Sequence, residues 1–165
     1  MKPIAIDVFD FGRLKEKREG AVPVAEFARL AQECVDTSGM VHWTLTGGTH
    51  ESGHLQLVMR VNGTVMLMCQ RCLKPFPFSI ASESVLVLAH DEAQADQIEA
   101  MLDDDSLDVI VGTKALDVAD LVEDEALLAI PQAPKHDECP GQAATQVDAA
   151  AVKPSPFAIL KNMKH

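Results

Sequence analysis

Hydrophobic and polar positions change period several times along the chain, and each change marks an element. Residues 1–12 read as an edge strand and a turn. Over residues 24–35, Val24, Phe27, Leu30, Ala31 and Cys34 recur at helical spacing and form one apolar stripe. Cys34 lies on that stripe and reads as a core thiol. From Met40 the period becomes two. Trp43 and Leu45 alternate with polar residues, Gly47-Gly48 reads as a turn, and Leu55, Leu57, Met59 and Val61 alternate again. Asn62-Gly63 is a hairpin signal, with Val65, Leu67 and Cys69 on the other arm. Residues 78–88 predict a further strand ending in Val85, Leu86, Val87 and Leu88. Short turns between successive strands imply antiparallel pairing.

The second half returns to helical spacing. Residues 90–105 are acidic and read as a short helix around Ile98 and Met101 or as a loop; the run Asp103, Asp104, Asp105 reads as solvated. Residues 107–111 predict a short strand ended by Gly112. Residues 117–130 predict the clearest helix, capped by Asp117, with Val118, Leu121, Val122, Leu128 and Ala129 on one face. At 100° per residue Glu125 falls in the middle of that face, where a carboxylate needs a partner. Either the stripe reaches solvent there, or Glu125 is buried and hydrogen-bonded or ion-paired, with Arg71 the first basic partner to test. The predicted class is α+β: an antiparallel sheet of about five strands with two main helices, an irregular cysteine-containing loop region and a short C-terminal helical segment.

The chemistry concentrates at Cys69-Gln70-Arg71-Cys72, followed by Pro75 and Pro77. A second half-site, His136-Asp137-Glu138-Cys139, lies among Pro131, Pro134 and Pro140. Cys69, Cys72, His136 and Cys139 together offer a ligand set for structural zinc. Three other readings stand beside it: a redox pair, a disulfide, and four reduced, packed thiols. Thioredoxin-type pairs open a helix, which Pro75 and Pro77 argue against here.

Length suits one domain, predicted over residues 1–140 of 165. Residues 141–153, rich in Ala, Gln and Gly, read as a linker. In residues 154–165, Ser155 and Pro156 can start a helical turn that carries Phe157 and Leu160 on one side, as a docking or recognition segment. The net charge is −11 and aromatics are 4%. That balance repels phosphate backbones and offers few stacking faces, so it favours a basic protein as partner over bare RNA. The cluster Arg13, Lys15, Lys17, Arg18 reads as a solvated turn. Asp7 and Asp10 break up the early apolar stretch, no apolar run reaches membrane length, and the chain reads as cytoplasmic with reduced thiols. No catalytic triad, phosphate loop or small-molecule site is evident.

CQRCLKPF at 69–76, VEDEALLAIP at 122–131, HDEC at 136–139 and SPFAILKNMK at 155–164 occur in one order. Together they resemble the YceD family of bacterial proteins over nearly the whole chain. The resemblance implies a ribosome-biogenesis role without catalysis: synthesis, processing or stability of 23S rRNA, with a basic ribosomal protein or the large-subunit rRNA precursor as partner. The alternative is a metal-dependent or redox enzyme built on the cysteines. Arg71, Glu125, Phe157 and Leu160 are the candidate partner-binding residues.

Overall fold

The computed structural model describes residues 4–102, 104 and 107–140. Its centre is a five-stranded sheet in the order β2-β3-β4-β5-β6. Those strands are β2 (Lys17–Pro23), β3 (Met40–Thr49), β4 (Leu55–Met68), β5 (Pro75–Ala89) and β6 (Asp108–Val111). A two-stranded ribbon pairs β1 (Ala5–Ile6) with β7 (Leu116–Asp117). The α+β class is as expected. One strand departs from it: β6 runs parallel to β5, because helix α3 (Glu92–Leu102) carries the chain back before it pairs.

Helix α1 (Val8–Arg13) occupies part of the predicted N-terminal strand. Asp7 stops the extended chain after two residues by accepting from the amides of Phe9 (3.0 Å) and Asp10 (3.3 Å). Val8 and Phe11, one turn apart, then face the core.

Neither glycine pair in the middle of the chain makes a turn. Gly47 and Gly48 lie inside β3, and Asn62 and Gly63 inside β4. Gly63 is opposite Val41 on one side and Ile80 on the other, so its strand is paired on both flanks. A Cβ there would stand 2.5 Å from the Met40 carbonyl oxygen. Glycine serves close approach at this point, not reversal. The β3–β4 turn comes at residues 50–54, where Gly53 takes φ +88°.

The predicted helix over 24–35 divides into a 3₁₀ turn (Val24–Glu26) and α2 (Ala28–Glu33), with extended Phe27 between them. Val24, Phe27 and Leu30 are buried as their spacing implies, while Cys34 is half-buried against the core. Burial pushes the Cys34 thiol up, helped by the charges of Asp36 and Glu33. The amides of Arg29 and Leu30 donate to Glu123, on the distant helix α4 (Val118–Leu128), at 2.6 and 3.1 Å. The Arg29 guanidinium pairs with the same carboxylate at 3.0 Å. A residue 94 positions away therefore caps α2.

Asp117 caps α4 as predicted, accepting from Ala119 N at 2.9 Å. Val118, Val122, Glu123, Glu125 and Ala126 are its buried residues. Leu128, expected on the buried face, is 82% exposed, because it lies at the rim of the stripe one helical step beyond the packed sector. The main core fills the sheet face lined by Trp43, Leu45, Met59, Val61, Leu86 and Leu88. A smaller cluster of Val87, Ala89, Ala95 and Ile98 seats α3, and Met101 points outward.

Candidate metal centre

Strand β4 ends at Met68 and β5 opens at Pro75, so residues 69–74 reverse the chain between two long neighbours. Leu73 takes φ +56°, and its amide donates to the Cys69 carbonyl at 2.9 Å. The Cys69 amide donates to the Lys74 carbonyl at 3.0 Å, closing the turn. That closure brings Cys69 and Cys72 to the same side. The proline-rich stretch after α4 is sewn on by the Gln70 amide, which donates to the Pro134 carbonyl at 2.8 Å. His136 and Cys139 thereby arrive over the turn. The His136 ring leans on Phe76, centroids 4.9 Å apart.

The three sulfurs and one imidazole nitrogen all lie within 4.8 Å of one another. Cys69 Sγ is 3.8 Å from Cys139 Sγ, and Cys72 Sγ is 3.4 Å from His136 Nδ1. Zn–S bonds near 2.3 Å place neighbouring thiolates of a tetrahedron about 3.8 Å apart. The group could therefore hold one metal ion with four protein ligands. Cys69 and Cys139 are buried; Cys72 and His136 are half-buried. All four cysteines of the chain are free thiols.

Electrostatics favour thiolate at Cys69. Burial raises the Cys69 thiol, but donors outweigh it: the amides of His136, Cys72 and Arg71 and the His136 side chain bring it down to about 5. Burial pushes the Cys72 thiol up, and the neighbouring sulfurs of Cys139 and Cys69 add to that. Arg71 Nε donates to Cys139 Sγ at 3.0 Å, and its Nη2 donates to the carbonyls of His136 (2.9 Å) and Asp137 (3.3 Å). The hydrogen bond to Cys139 holds the Arg71 guanidinium above its ordinary value.

Arg71 and Glu125 do not meet. Arg71 braces the cysteine turn, whereas Glu125 lies under the sheet and accepts from the hydroxyls of Ser82 and Ser84. The expectation of a basic partner for Glu125 is corrected: two neutral hydroxyls on β5 suffice for a buried carboxylate facing a strand. The sequence reading also missed Glu123, one position outside the stripe as drawn. At 100° per residue Glu123 lies on nearly the opposite side of the helix from Glu125, so the stripe carried no signal for it. Phe157, Leu160, the linker and the terminal segment lie outside the described residues, as do Asp103 and Asp105. Among the described residues no helix is long and apolar enough to cross a membrane.

Comparison with known proteins adds the biological setting. Residues 57–164 match the family model described as large ribosomal RNA subunit accumulation protein YceD. A protein of that description from Haemophilus influenzae is 26% identical over 169 aligned positions, covering 98% of this chain and 95% of the relative. No solved structure matches.

Proposed function

The chain belongs to the YceD family, the large ribosomal RNA subunit accumulation proteins, and from that premise we propose that it promotes the synthesis, processing or stability of 23S rRNA in the cytoplasm by binding and not by catalysis. The chain-long match to a relative of that description carries the reading. A net charge of −11 supports a basic ribosomal protein as the direct partner. So does the fate of the N-terminal basic cluster. Arg13 pairs with Asp10 at 3.2 Å, Lys17 with Glu19 at 2.8 Å and Arg18 with Glu16 at 3.3 Å. Three of the cluster's four cations are thus answered locally, which reduces the charge available to release counterions from a phosphate backbone.

In this reading Cys69, Cys72, His136 and Cys139 hold structural zinc. Thiolate-rich sets suit zinc, and a full complement of protein ligands leaves no coordination position for reactive water. The metal would supply a cross-link between the β4–β5 turn and the segment after α4. The test is twofold. Cells lacking the protein should accumulate less 23S rRNA relative to 16S rRNA, and the cloned chain should restore the ratio. Purified protein should bind a basic large-subunit ribosomal protein with an association rate that falls as salt rises. Tight binding of bare large-subunit RNA at physiological salt, with no ribosomal protein present, would replace this reading by direct RNA recognition.

A further inference from the structure

Strand β5 is 15 residues long, yet β6 pairs only with its last stretch, residues 86–89. On the other side β4 pairs with it from Pro75 to Val87 without interruption. Among the described residues no backbone group meets the outer edge over residues 75–84.

The direction of that edge can be read from its prolines. Pro75 and Pro77 sit opposite Met68 and Met66 within the ladder. A proline nitrogen has no hydrogen to give a neighbouring strand, so in a paired strand it faces away. The register has no bulge, and odd-numbered residues of β5 therefore aim both N–H and C=O at the free edge. The Ala89 carbonyl, of the same parity, accepts from the Gly112 amide at 2.8 Å on the β6 side. Ser79, Ala81 and Glu83 thus present three unpaired donor–acceptor sets in a row, and the Val85 carbonyl is already taken by β6 where Leu86 pairs with Asp108. Natural sheets blunt such edges, and here the prolines blunt only the first three residues.

The flanks of the edge carry charge. At its start a groove of about 550 Å³ lies between Phe76–Ser79 and the metal-ligand loop Lys135–Glu138. Asp137, Glu138 and Lys135 are all exposed there, so the loop carries a net negative charge at the groove. At the far end exposed Asp108 stands opposite Leu86. Glu83, midway, already pairs with Arg60 at 2.7 Å.

We propose that the free edge of β5 over residues 79–84 is a strand-addition site for a basic, extended protein segment. The incoming chain pairs with Ser79, Ala81 and Glu83 in line with β6. Its cationic side chains meet Asp137 and Glu138 at one end and Asp108 at the other. Main-chain pairing supplies affinity and the acidic ends select charge. The available edge spans roughly 20 Å, room for about six residues. The choice of a basic ribosomal protein as donor rests on the function proposed above; the site itself does not.

The probe is a labelled twelve-residue peptide alternating lysine and valine. Its control is the same peptide N-methylated at alternate residues, equal in charge but unable to pair along one edge. Full-length protein should bind the probe at least tenfold more tightly than the control. Ala81→Pro places a third proline at the same parity as Pro75 and Pro77, and should weaken the probe at least tenfold while far-ultraviolet circular dichroism stays unchanged. Equal binding of both peptides would show attraction by charge alone and overturn the proposal; should Ala81→Pro not fold, that comparison still decides. Tenfold tighter binding by full-length protein carrying Phe157→Asp and Leu160→Asp would assign the edge to the chain's own C-terminal segment. Concentration-dependent dimerisation abolished by Ala81→Pro would assign it to a second copy. Either result overturns the partner assignment. In cells, Ala81→Pro should fail to restore 23S rRNA; full restoration would overturn the edge as the working surface. Failure of the wild-type chain to restore it would instead sink the family-based function and leave the peptide result standing.

Discussion

The Ser84 hydroxyl of β5 donates to the Glu125 carboxylate of α4 at 2.8 Å, and Ser82 donates to the other oxygen of the same group. Glu125 is 7% exposed. A buried carboxylate is thus held by two neutral donors from one strand, and it ties the helix to the sheet midway along both elements. Glu125→Ala leaves two half-buried hydroxyls without this acceptor and opens a small cavity. No cation is left unpaired, so the expected cost is about 1–3 kcal/mol in urea titration. Glu125→Gln retains an acceptor and should cost less than Glu125→Ala. Equal midpoints for wild type and Glu125→Ala would show that the contacts contribute nothing.

Glu123 gives the fold a pH dependence of known sign. Burial raises its carboxyl, but the amides of Leu30 and Arg29 and the Arg29 guanidinium outweigh that and hold it below its ordinary 4.5. The folded state therefore binds this proton less tightly than the unfolded chain does. Its contribution is complete above pH 4.5 and is lost as pH falls through the lower folded value. Glu123→Gln should lower stability by about 1–3 kcal/mol at neutral pH and flatten the acid limb of the profile. Parallel acid limbs for variant and wild type would contradict the assignment.

Removing the metal should act locally before it acts globally. Purified protein is expected to carry one zinc per chain, and Cys139→Ser should lose it. Amides of residues 131–139 should then exchange faster, while those of β3 and β4 keep their protection. Arg71→Ala keeps all four ligands but removes the donor to Cys139 and to two loop carbonyls. It should weaken metal affinity about 10–100-fold. Elemental analysis and competition with a chromogenic chelator would read both variants.

Two glycines in adjacent strands should respond differently to alanine. At Gly63 the new Cβ would stand 2.5 Å from the Met40 carbonyl oxygen, and the strand partner must move. Gly63→Ala should cost about 1–3 kcal/mol. At Gly48 the nearest atoms are 3.8 Å away on the Gln56 side chain. Gly48→Ala should be close to neutral in thermal melts, and a loss equal to that of Gly63→Ala would argue against the observed β3–β4 register.

Local pattern by itself determined much of this protein. Alternation marked the long strands, Asp117 marked the start of α4, and helical spacing turned Glu125 inward. Two half-sites of cysteine and histidine, 63 intervening positions apart, pointed to four side chains that the structure brings within 4.8 Å of one another. These features depend on neighbours within a few residues, because backbone period and capping are short-range properties. Tertiary structure decided the rest. Gly47-Gly48 and Asn62-Gly63 carry turn chemistry, yet ladders on their flanks satisfy more backbone groups than a turn could, so the strands run through. Glu125 found serines 41 and 43 positions away instead of Arg71, and Glu123 capped a helix 94 positions away. Such partners are chosen by sheet register and by the angle at which α4 crosses, and neither is encoded in the spacing of any one segment.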